Sequence, residues 1–321
     1  MKLMIDGVWR GDIDPTPELQ RKRMIHAGQF REKIEAGAFR AEAGRYHLYL
    51  SYACPFSHRV HVVWALKKLT AVIGVSIVHP LWDNGDGWTL GATDWSTADG
   101  GQNGFRFLHE AYRATDPAYT GKVTVPVLWD CLTKRIVNNE SIEIATLLNA
   151  EPDEPGARQV DLYPYALRRE IDGLNEQIAS RLAKGVYAVG QASDQDEYDA
   201  AVNSLFGFLD ELEDRLGDGR PFLMGDEMTL TDVLAYTPLA RFDAVYHPLM
   251  RVSRKRLVDY ERLASLARRI HDLPGVAAVT RFDHILKHYY DGDWAVATRR
   301  GIVPAESQTD FRSAAVLSAA R

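Results

Sequence analysis

The stretch Arg45-Tyr46-His47-Leu48-Tyr49-Leu50, followed at Cys54-Pro55-Phe56-Ser57-His58-Arg59 by an apolar run, decides the fold of this chain. The first run alternates as a β-strand does, and the second starts a helix with Pro55 in its first turn, where the missing N–H costs nothing. Cys54 therefore lies at a helix N-terminus, where free N–H groups and the helix dipole favour a negative charge. The pattern indicates an activated thiolate; an inert core cysteine remains the alternative, since free Cys is among the most buried residue types.

Ser57 stands where a dithiol oxidoreductase carries the second cysteine of its Cys-x-x-Cys motif. A serine cannot resolve a mixed disulfide, and the other cysteine, Cys131, lies far along the chain in a turn-like segment. We therefore expect the resolving thiol to come from solution. Glutathione is the abundant intracellular candidate, although the motif alone does not identify it.

Composition and charge limit the classes of function. The chain has 321 residues, 46% of them hydrophobic and 26% charged, as in globular proteins of one large or two ordinary domains. The net charge of -6 argues against nucleic acid as the main partner, and the basic residues of Arg251–Arg262 are expected to form a solvated face. Neither a signal peptide nor a membrane span is visible, and two cysteines give no disulfide framework, so we expect a cytoplasmic protein.

Residues 45–150 show the pattern of a compact α/β unit. Strand, helix and strand follow one another in 45–79, and the helix carries apolar residues at helical spacing. His61 in that helix is expected to face solvent. A loop dense in Gly, Asp, Asn, Thr and Trp fills 83–104, and long loops in compact domains are often functional.

The second half of this unit contains a proline within a strand-like run. Val123–Trp129 reads as a strand, and Pro126 marks a sheet edge, a bulge or a cis peptide bond. A turn, a return strand at Ile136 and a helix opened by Asn138-Asn139-Glu140-Ser141 complete the unit.

Beyond the linker-like run Glu151–Gly156 the pattern is almost wholly helical. Thr229-Leu230-Thr231-Asp232 has the form of a capping box, with Asp232 in place of the usual Glu or Gln. At the other end of the chain, Trp9 and Phe30 are expected to pack on the body. The predicted helices are 164–184, 194–216, 229–245, 256–272 and 275–288. The predicted organisation is an N-terminal extension at 1–44, an α/β domain at 45–150, an all-helical domain at 151–299 and a tail at 300–321.

Short motifs occur in a fixed order from about residue 30 to about residue 290. They are Gly44–Tyr49, Cys54-Pro55-x-x-His58-Arg59, Gly87-Trp88-Thr89, Gly121–Asp130, Asn138–Ser141, Gly185-Val186-Tyr187, Arg241–Tyr246 and His288-Tyr289-Tyr290. Each motif alone is weak, but together they resemble the glutathionyl-hydroquinone reductases, the Xi class of the glutathione transferase superfamily. The resemblance implies a thioredoxin-like α/β domain followed by an all-α domain. It also implies a homodimer that uses glutathione as co-substrate, reduces glutathionylated quinone or hydroquinone substrates and needs no metal.

The same resemblance assigns a glutathione site. Trp88 would contact glutathione from the long loop, and Val125 would pair its backbone with the cysteinyl part, at the end of the segment Lys122, Val123, Thr124 and Val125. Glu140 and Ser141 would bind the γ-glutamyl end, where a helix start can hold a carboxylate. The structural alternatives are that Trp88 only anchors its loop to the body and that Glu140 and Ser141 only cap a helix. Capping explains Ser141 well.

The resemblance also assigns the chemistry. Cys54 would be the nucleophile and Tyr187 the proton donor. Tyr246 and Tyr289 would line the hydroquinone site and help to stabilise the thiolate, and Tyr290 could exchange roles with Tyr289. As side chains of helical segments, these tyrosines could equally be core or rim aromatics.

Three residues depart from the family pattern. Phe56 and Ser57 replace the usual Trp and Ala, and Lys122 replaces an arginine, which loses the planar bidentate fork but keeps the charge. The replacement at Lys122 is expected to affect the affinity for glutathione and not the chemistry. The expected activity is reduction of S-glutathionyl-hydroquinones; an omega-like thioltransferase or dehydroascorbate reductase and a non-catalytic scaffold of the same fold are the alternatives.

Overall fold

The computed structural model describes residues 2–11, 30–32, 42, 44–82, 85–91, 93–101, 103–150, 160–292, 294, 301–305 and 310–312. The chain folds into two compact units. The first comprises Met1–Gln159 and Arg281–Gly301, and the second comprises Val160–Thr280 and Ile302–Arg321. The predicted linker Glu151–Gly156 lies outside the described residues.

A four-stranded mixed sheet forms the centre of the first unit. Its strands are β3 (Tyr46–Leu50), β4 (Gly74–Ile77), β5 (Val127–Asp130) and β6 (Arg135–Asn138). Their order in the sheet is β4-β3-β5-β6, with β3 parallel to β4 and antiparallel to β5, and with β5 antiparallel to β6. The central strand β3 is buried along its whole length, as expected for a strand with neighbours on both sides.

Helices connect these strands in the order that the sequence predicts. Helix α1 (Pro55–Leu66) links β3 to β4 and packs against α3 (Ser141–Asn149), which follows β6. Helix α2 (Leu108–Thr115) follows the long loop. Strand β5 begins at Val127 and not at Val123, and the Val125–Pro126 bond is cis, one of the three options that the proline indicated.

A β-hairpin occupies the described N-terminal residues. Strands β1 (Leu3–Ile5) and β2 (Val8–Arg10) pair antiparallel, and Met4 exchanges both backbone hydrogen bonds with Gly121 at 2.9 and 3.0 Å. The ring of Trp9 stacks on His109 with centroids 5.3 Å apart. Trp9 and Phe30 both pack on the core of this unit, which confirms the expectation for them.

The last helix, α11 (Phe282–Asp291), groups with the first unit and not with the helical one. The predicted domain 151–299 had included it. The reason is local packing: His288 bonds through Nδ1 to the Pro80 carbonyl oxygen at 2.6 Å, and its ring stacks on Trp88. The predicted helix 275–288 is in fact two helices, since a break at Thr280 and Arg281 separates α10 from α11.

The second unit is helical, as predicted. Asp232 is fully buried at the third position of α7 (Leu230–Leu239) and accepts hydrogen bonds from the Thr229 and Leu223 N–H groups and from the Thr229 hydroxyl. This confirms the capping box, although burial raises the pKa of Asp232 to about 6. The helices are α4 (Arg168–Gln177), α5 (Gly185–Gln191), α6 (Gln195–Arg215), α7 (Leu230–Leu239), α8 (His247–Leu249), α9 (Glu261–His271) and α10 (Val276–Val279).

Two π-helical segments interrupt this helical array. Ile178–Ala183 joins α4 to α5, and Phe242–Tyr246 follows α7. Such segments are rare and frequently occur at functional sites.

The basic segment Arg251–Arg262 contacts the acidic helix α6. Lys255 lies 3.1 Å from Asp210, and Arg262 lies 3.8 Å from Glu213. These ion pairs neutralise part of the positive charge of the segment with carboxylates of the same unit. Among the described residues, no helix is both long and apolar enough to cross a membrane.

Candidate active site

Cys54 is the N-cap residue of α1, with Pro55 in the first turn of the helix. Its backbone is extended, and its carbonyl accepts the first helical hydrogen bond, from His58 at 2.9 Å. The side chain is half-buried, and the Sγ atom lies 3.8 Å from the carbonyl oxygen of Val125. The structure therefore places the predicted nucleophile at a helix start, beside the predicted backbone partner of glutathione.

The segment Lys122–Val125 is held by two tyrosine hydroxyls. Tyr119 donates to the Lys122 carbonyl oxygen at 2.7 Å. The Tyr112 hydroxyl donates to the Thr124 carbonyl oxygen at 2.8 Å and accepts from the Thr124 N–H at 3.1 Å. These side-chain bonds explain why the predicted strand does not start at Val123: the backbone groups of this segment are engaged outside the sheet.

Glu140 and Ser141 lie together at the start of α3. Glu140 is the N-cap residue, and its Oε1 accepts from the Ile142 N–H at 3.4 Å and from the Ser141 hydroxyl at 3.3 Å. Arg59 of α1 donates to the Ser141 hydroxyl at 3.4 Å. The helix cap is therefore real, but Glu140 provides it instead of Ser141. Glutathione binding by this pair stays a prediction.

Trp88 is buried between two other rings. Its indole packs at 4.6 Å against Trp82 and stacks at 6.1 Å on His288, and only 5% of its surface is exposed. The Nε1 atom is buried without a hydrogen-bond partner among the described residues. Trp88 thus anchors its loop, which was the structural alternative for this residue. A contact between Trp88 and glutathione stays a prediction.

Tyr289 and Tyr290 lie on α11 in the same unit as Cys54. Both side chains are buried, and burial raises the pKa of Tyr290 to about 12. The Tyr289 ring contacts that of His288 edge to face at 5.1 Å. The predicted hydroquinone residue is therefore adjacent in sequence to the histidine that stacks on Trp88.

Tyr187 and Tyr246 lie together in the second unit. Their rings meet edge to face with centroids 6.0 Å apart. Tyr246 is the last residue of one π-helical segment, and Tyr187 lies in α5 immediately after the other. Cys54 belongs to the first unit, and the action of these tyrosines on it stays a prediction.

Ser57 and His61 of α1 are both buried. The hydroxyl of Ser57 has no hydrogen-bond partner in the described part of the chain. The prediction that His61 faces solvent is wrong: 4% of it is exposed, it stacks on Tyr52, and burial lowers its pKa to about 3. Helix α1 is covered on both faces, so amphipathic spacing does not apply to it.

Tyr112 and His288 are contributors to this region that sequence reasoning missed. Tyr112 lies within an ordinary amphipathic helix, and no local pattern distinguishes it. His288 belongs to a motif that the resemblance had quoted, but only the tyrosines of that motif were assigned roles.

A cavity of about 620 Å³ lies within the long loop. None of the predicted glutathione-binding residues lines it. Among the described residues, there is no group of three or more His, Cys, Asp or Glu side chains that could hold a metal ion. The cavity is lined by His79, Leu81, Trp82, Asp86, Gly87, Thr89, Leu90, Gly91, Thr93, Ala98, Asp99, Gly104, Phe105, Arg106 and Phe107.

Comparisons with known proteins identify relatives of this chain. Residues 53–151 match the family model "Glutathione S-transferase, N-terminal domain", and residues 195–281 match "Glutathione S-transferase, C-terminal domain". The curated protein "Glutathionyl-hydroquinone reductase PcpF" of Sphingobium chlorophenolicum is 41% identical over 304 residues, covering 95% of this chain and 96% of the relative. This chain belongs to the glutathionyl-hydroquinone reductases, the Xi class of glutathione transferases.

Solved structures of Xi-class proteins share its fold. The Xi-class glutathione transferase from Natrialba magadii superposes with a TM-score of 0.88 at 36% identity, covering 98% of this chain and 96% of that one. The glutathione-bound structure of YqjG from Escherichia coli K-12 has a TM-score of 0.82 at 37% identity and covers 97% of each chain. The predicted fold, a thioredoxin-like domain followed by an all-helical domain, is confirmed for this Xi-class member.

Proposed function

We propose that this protein is an enzyme that reduces S-glutathionyl-hydroquinones to hydroquinones with glutathione as reductant. The observation that carries the proposal is the placement of Cys54: it caps a helix beside Val125, and serine fills the position of a resolving cysteine. The near full-length similarity to a glutathionyl-hydroquinone reductase supports the same reaction.

The first step is attack by the Cys54 thiolate on the sulfur of the conjugate. A disulfide bond forms between Cys54 and glutathione, and the bond from that sulfur to the aromatic carbon breaks. The carbon keeps the electron pair and takes a proton, so the ring is reduced while the two sulfurs are oxidised. Because carbon is a poor leaving atom, a positioned acid is needed, and Tyr187 is the residue assigned to that role.

The second step is thiol–disulfide exchange. The thiolate of a second glutathione attacks the glutathione sulfur of the mixed disulfide, releases oxidised glutathione and restores the Cys54 thiolate. The only other cysteine is Cys131, and Ser57 cannot act as a resolving group. The external thiol is therefore a required co-substrate.

The residues beside Cys54 can bind a tripeptide that carries carboxylate groups, as glutathione does. Val125 can pair its backbone with the cysteinyl unit, as an added strand pairs with a sheet edge. The start of α3 can hold the γ-glutamyl carboxylate on its free N–H groups, and Glu140 can pair with the ammonium group. Lys122, Val123, Thr124 and Trp88 complete the assigned set.

The test is turnover on a panel of glutathionyl-hydroquinones, such as glutathionyl-menadione, with disulfides and dehydroascorbate as comparison substrates. The wild-type protein should prefer the hydroquinone conjugates. Cys54→Ser should have no activity, and Cys131→Ser should keep it. Retained turnover by Cys54→Ser would refute the nucleophile assignment, whereas equal rates on dehydroascorbate would favour an omega-like reductase.

We also propose that the protein acts in a reducing compartment, the cytoplasm, as a homodimer. Both cysteines are free thiols, which suits a reducing environment. Light scattering of the purified protein tests the assembly: a monomeric mass across the concentration range used for assays would contradict the dimer.

A further inference from the structure

We propose that the Tyr112 hydroxyl is the positioning group that fixes both walls of the glutathione site relative to each other. The two walls are the segment Lys122–Val125 and the start of α3 at Glu140 and Ser141. The inference rests on the proposed function for the roles of these walls, but the geometry that carries it comes from the structure alone.

The first wall is held at Thr124. The Tyr112 hydroxyl donates to the Thr124 carbonyl oxygen at 2.8 Å, accepts from the Thr124 N–H at 3.1 Å and lies 3.2 Å from the Thr124 hydroxyl. One phenol oxygen thus fixes the peptide groups on both sides of Thr124. The next residue is Val125, whose carbonyl oxygen contacts Cys54 Sγ.

The second wall is held at Asn139. The Asn139 side-chain amide donates to the Tyr112 hydroxyl at 3.1 Å, and the bond is buried. Asn139 directly precedes Glu140, the cap of α3. Its other polar groups bond to Phe30, with the Phe30 N–H donating to Oδ1 at 3.2 Å and the Asn139 N–H donating to the Phe30 carbonyl oxygen at 3.0 Å.

Tyr112 itself has little freedom to move. It lies on α2 with no exposed surface, and its ring packs edge to face on Tyr119 at 5.0 Å and on Phe30 at 5.7 Å. Burial raises the pKa of Tyr112, so the phenol stays protonated and remains able to donate. A rigid ring therefore carries a hydroxyl that touches both walls.

Removal of this one oxygen would leave two donors, the partly buried Thr124 N–H and the buried Asn139 amide, without their acceptor. A buried donor that loses its partner either stays unsatisfied at a cost or moves to find another. Either response changes the separation of the walls, and misplacement of binding groups by about 1 Å is enough to weaken a site strongly. The expected effect falls on glutathione binding and not on the chemistry of Cys54.

The test is the Tyr112→Phe substitution, measured in two ways. Calorimetric binding of glutathione to a Cys54→Ser background reports affinity without turnover, and steady-state kinetics with a saturating conjugate reports KM for glutathione against kcat. Tyr163→Phe is the matched control, because it removes a tyrosine hydroxyl that bonds Asp172 in the other unit. Asn139→Leu is the second variant: it removes the amide donor to Tyr112 on one wall, together with the acceptor of the Phe30 N–H, and leaves Tyr112 and Thr124 in place.

We expect Tyr112→Phe to weaken glutathione binding and to raise KM by about tenfold, the factor that corresponds to the net contribution of about one hydrogen bond. The value of kcat should change less than about twofold. Asn139→Leu should weaken binding in the same direction, and Tyr163→Phe should leave it unchanged. A lowered melting temperature with unchanged glutathione affinity in both site variants would overturn the proposal. Failure of wild-type turnover on hydroquinone conjugates would refute the proposed function but not this one, which is decided by the binding measurement.

Discussion

The sulfur atom of Cys54 lies 3.8 Å from the carbonyl oxygen of Val125. We propose that Cys54 supplies the reacting atom and that Val125 belongs to the backbone segment that binds the cysteinyl part of glutathione. Under this proposal, bond formation and ligand recognition occur at one point of the first unit. The reactivity of the thiol is therefore the first property to measure.

Cys54 should be alkylated much faster than Cys131. Cys54 caps a helix, where a negative charge is favoured, whereas burial raises the pKa of the Cys131 thiol and lowers its thiolate fraction. Iodoacetamide at pH 7, followed by peptide mass spectrometry, should label Cys54 first. The Cys131→Ser variant should show the same fast phase as wild type, and a fast phase that vanishes in that variant would contradict the assignment.

Tyr187→Phe should separate two kinds of substrate. Protonation of a leaving carbon needs an acid, and general acid catalysis contributes about 10²- to 10⁴-fold, so kcat/KM on glutathionyl-hydroquinones should fall by that order. Exchange with a low-molecular-weight disulfide needs no such acid and should change only a few-fold.

The matched control for that experiment is Tyr198→Phe. It removes a hydroxyl that donates to the Arg251 carbonyl oxygen at 2.9 Å in the same unit. It should leave both activities intact. Equal losses of Tyr187→Phe on both substrates would rule out the acid role.

Stability should fall as the pH is lowered below neutrality, because buried histidines stay neutral in the folded state. Burial lowers the pKa of His47 to about 4 and of His61 to about 3. Between pH 6.5 and about 4 the unfolded chain therefore binds protons that the folded chain does not, and each such histidine contributes a loss of up to about 1.4 kcal/mol per pH unit. Asp232, whose pKa of about 6 lies above its ordinary value, offsets part of this loss.

Urea unfolding of wild type and His47→Gln between pH 7.5 and 4.5 isolates one of these contributions. The variant should show a shallower decline of the unfolding free energy. Ser76→Ala is the control, since it removes the hydroxyl 2.8 Å from His47 Nε2 but leaves the histidine in place. That control should shift the curve without flattening it, and equal slopes for His47→Gln and wild type would contradict the burial argument.

Asp232→Ala should destabilise the second unit by about 2–4 kcal/mol, because three donors lose their acceptor at a buried helix start. Thermal denaturation gives the loss directly. Thr229→Ser keeps the capping hydroxyl and should cost about 1 kcal/mol or less. A small loss for Asp232→Ala would mean that the cap is not needed for this helix.

Local patterns were sufficient for the elements that carry Cys54. The strand β3, the N-terminal Pro55 of α1 and the capping box at Thr229 are all defined by residues within a few positions of one another, and all are confirmed. Pro126 predicted a sheet edge, a bulge or a cis peptide bond, and the structure contains the cis bond at Val125–Pro126. A single sequence therefore predicts best those features that depend on residues close together along the chain.

Long-range contacts explain what was missed. Tyr112 meets Thr124 and Asn139 from 12 and 27 positions away, and nothing near Tyr112 indicates either partner. The hairpin β1–β2 did have a local signal, the dipeptide Asp6-Gly7, both residues of which adopt positive φ. Its pairing with Gly121 had none.

The π-helical segment before Tyr187 has a consequence for how chain length is tolerated there. A π-turn holds one residue more than an α-turn. Deletion of a single residue from Ile178–Ala183 would therefore let an ordinary α-helical ladder close, because five α-helical residues turn the chain about as far as six π-helical residues do. The segment is thus a place where the chain can lose one residue while the helix that carries Tyr187 keeps its face.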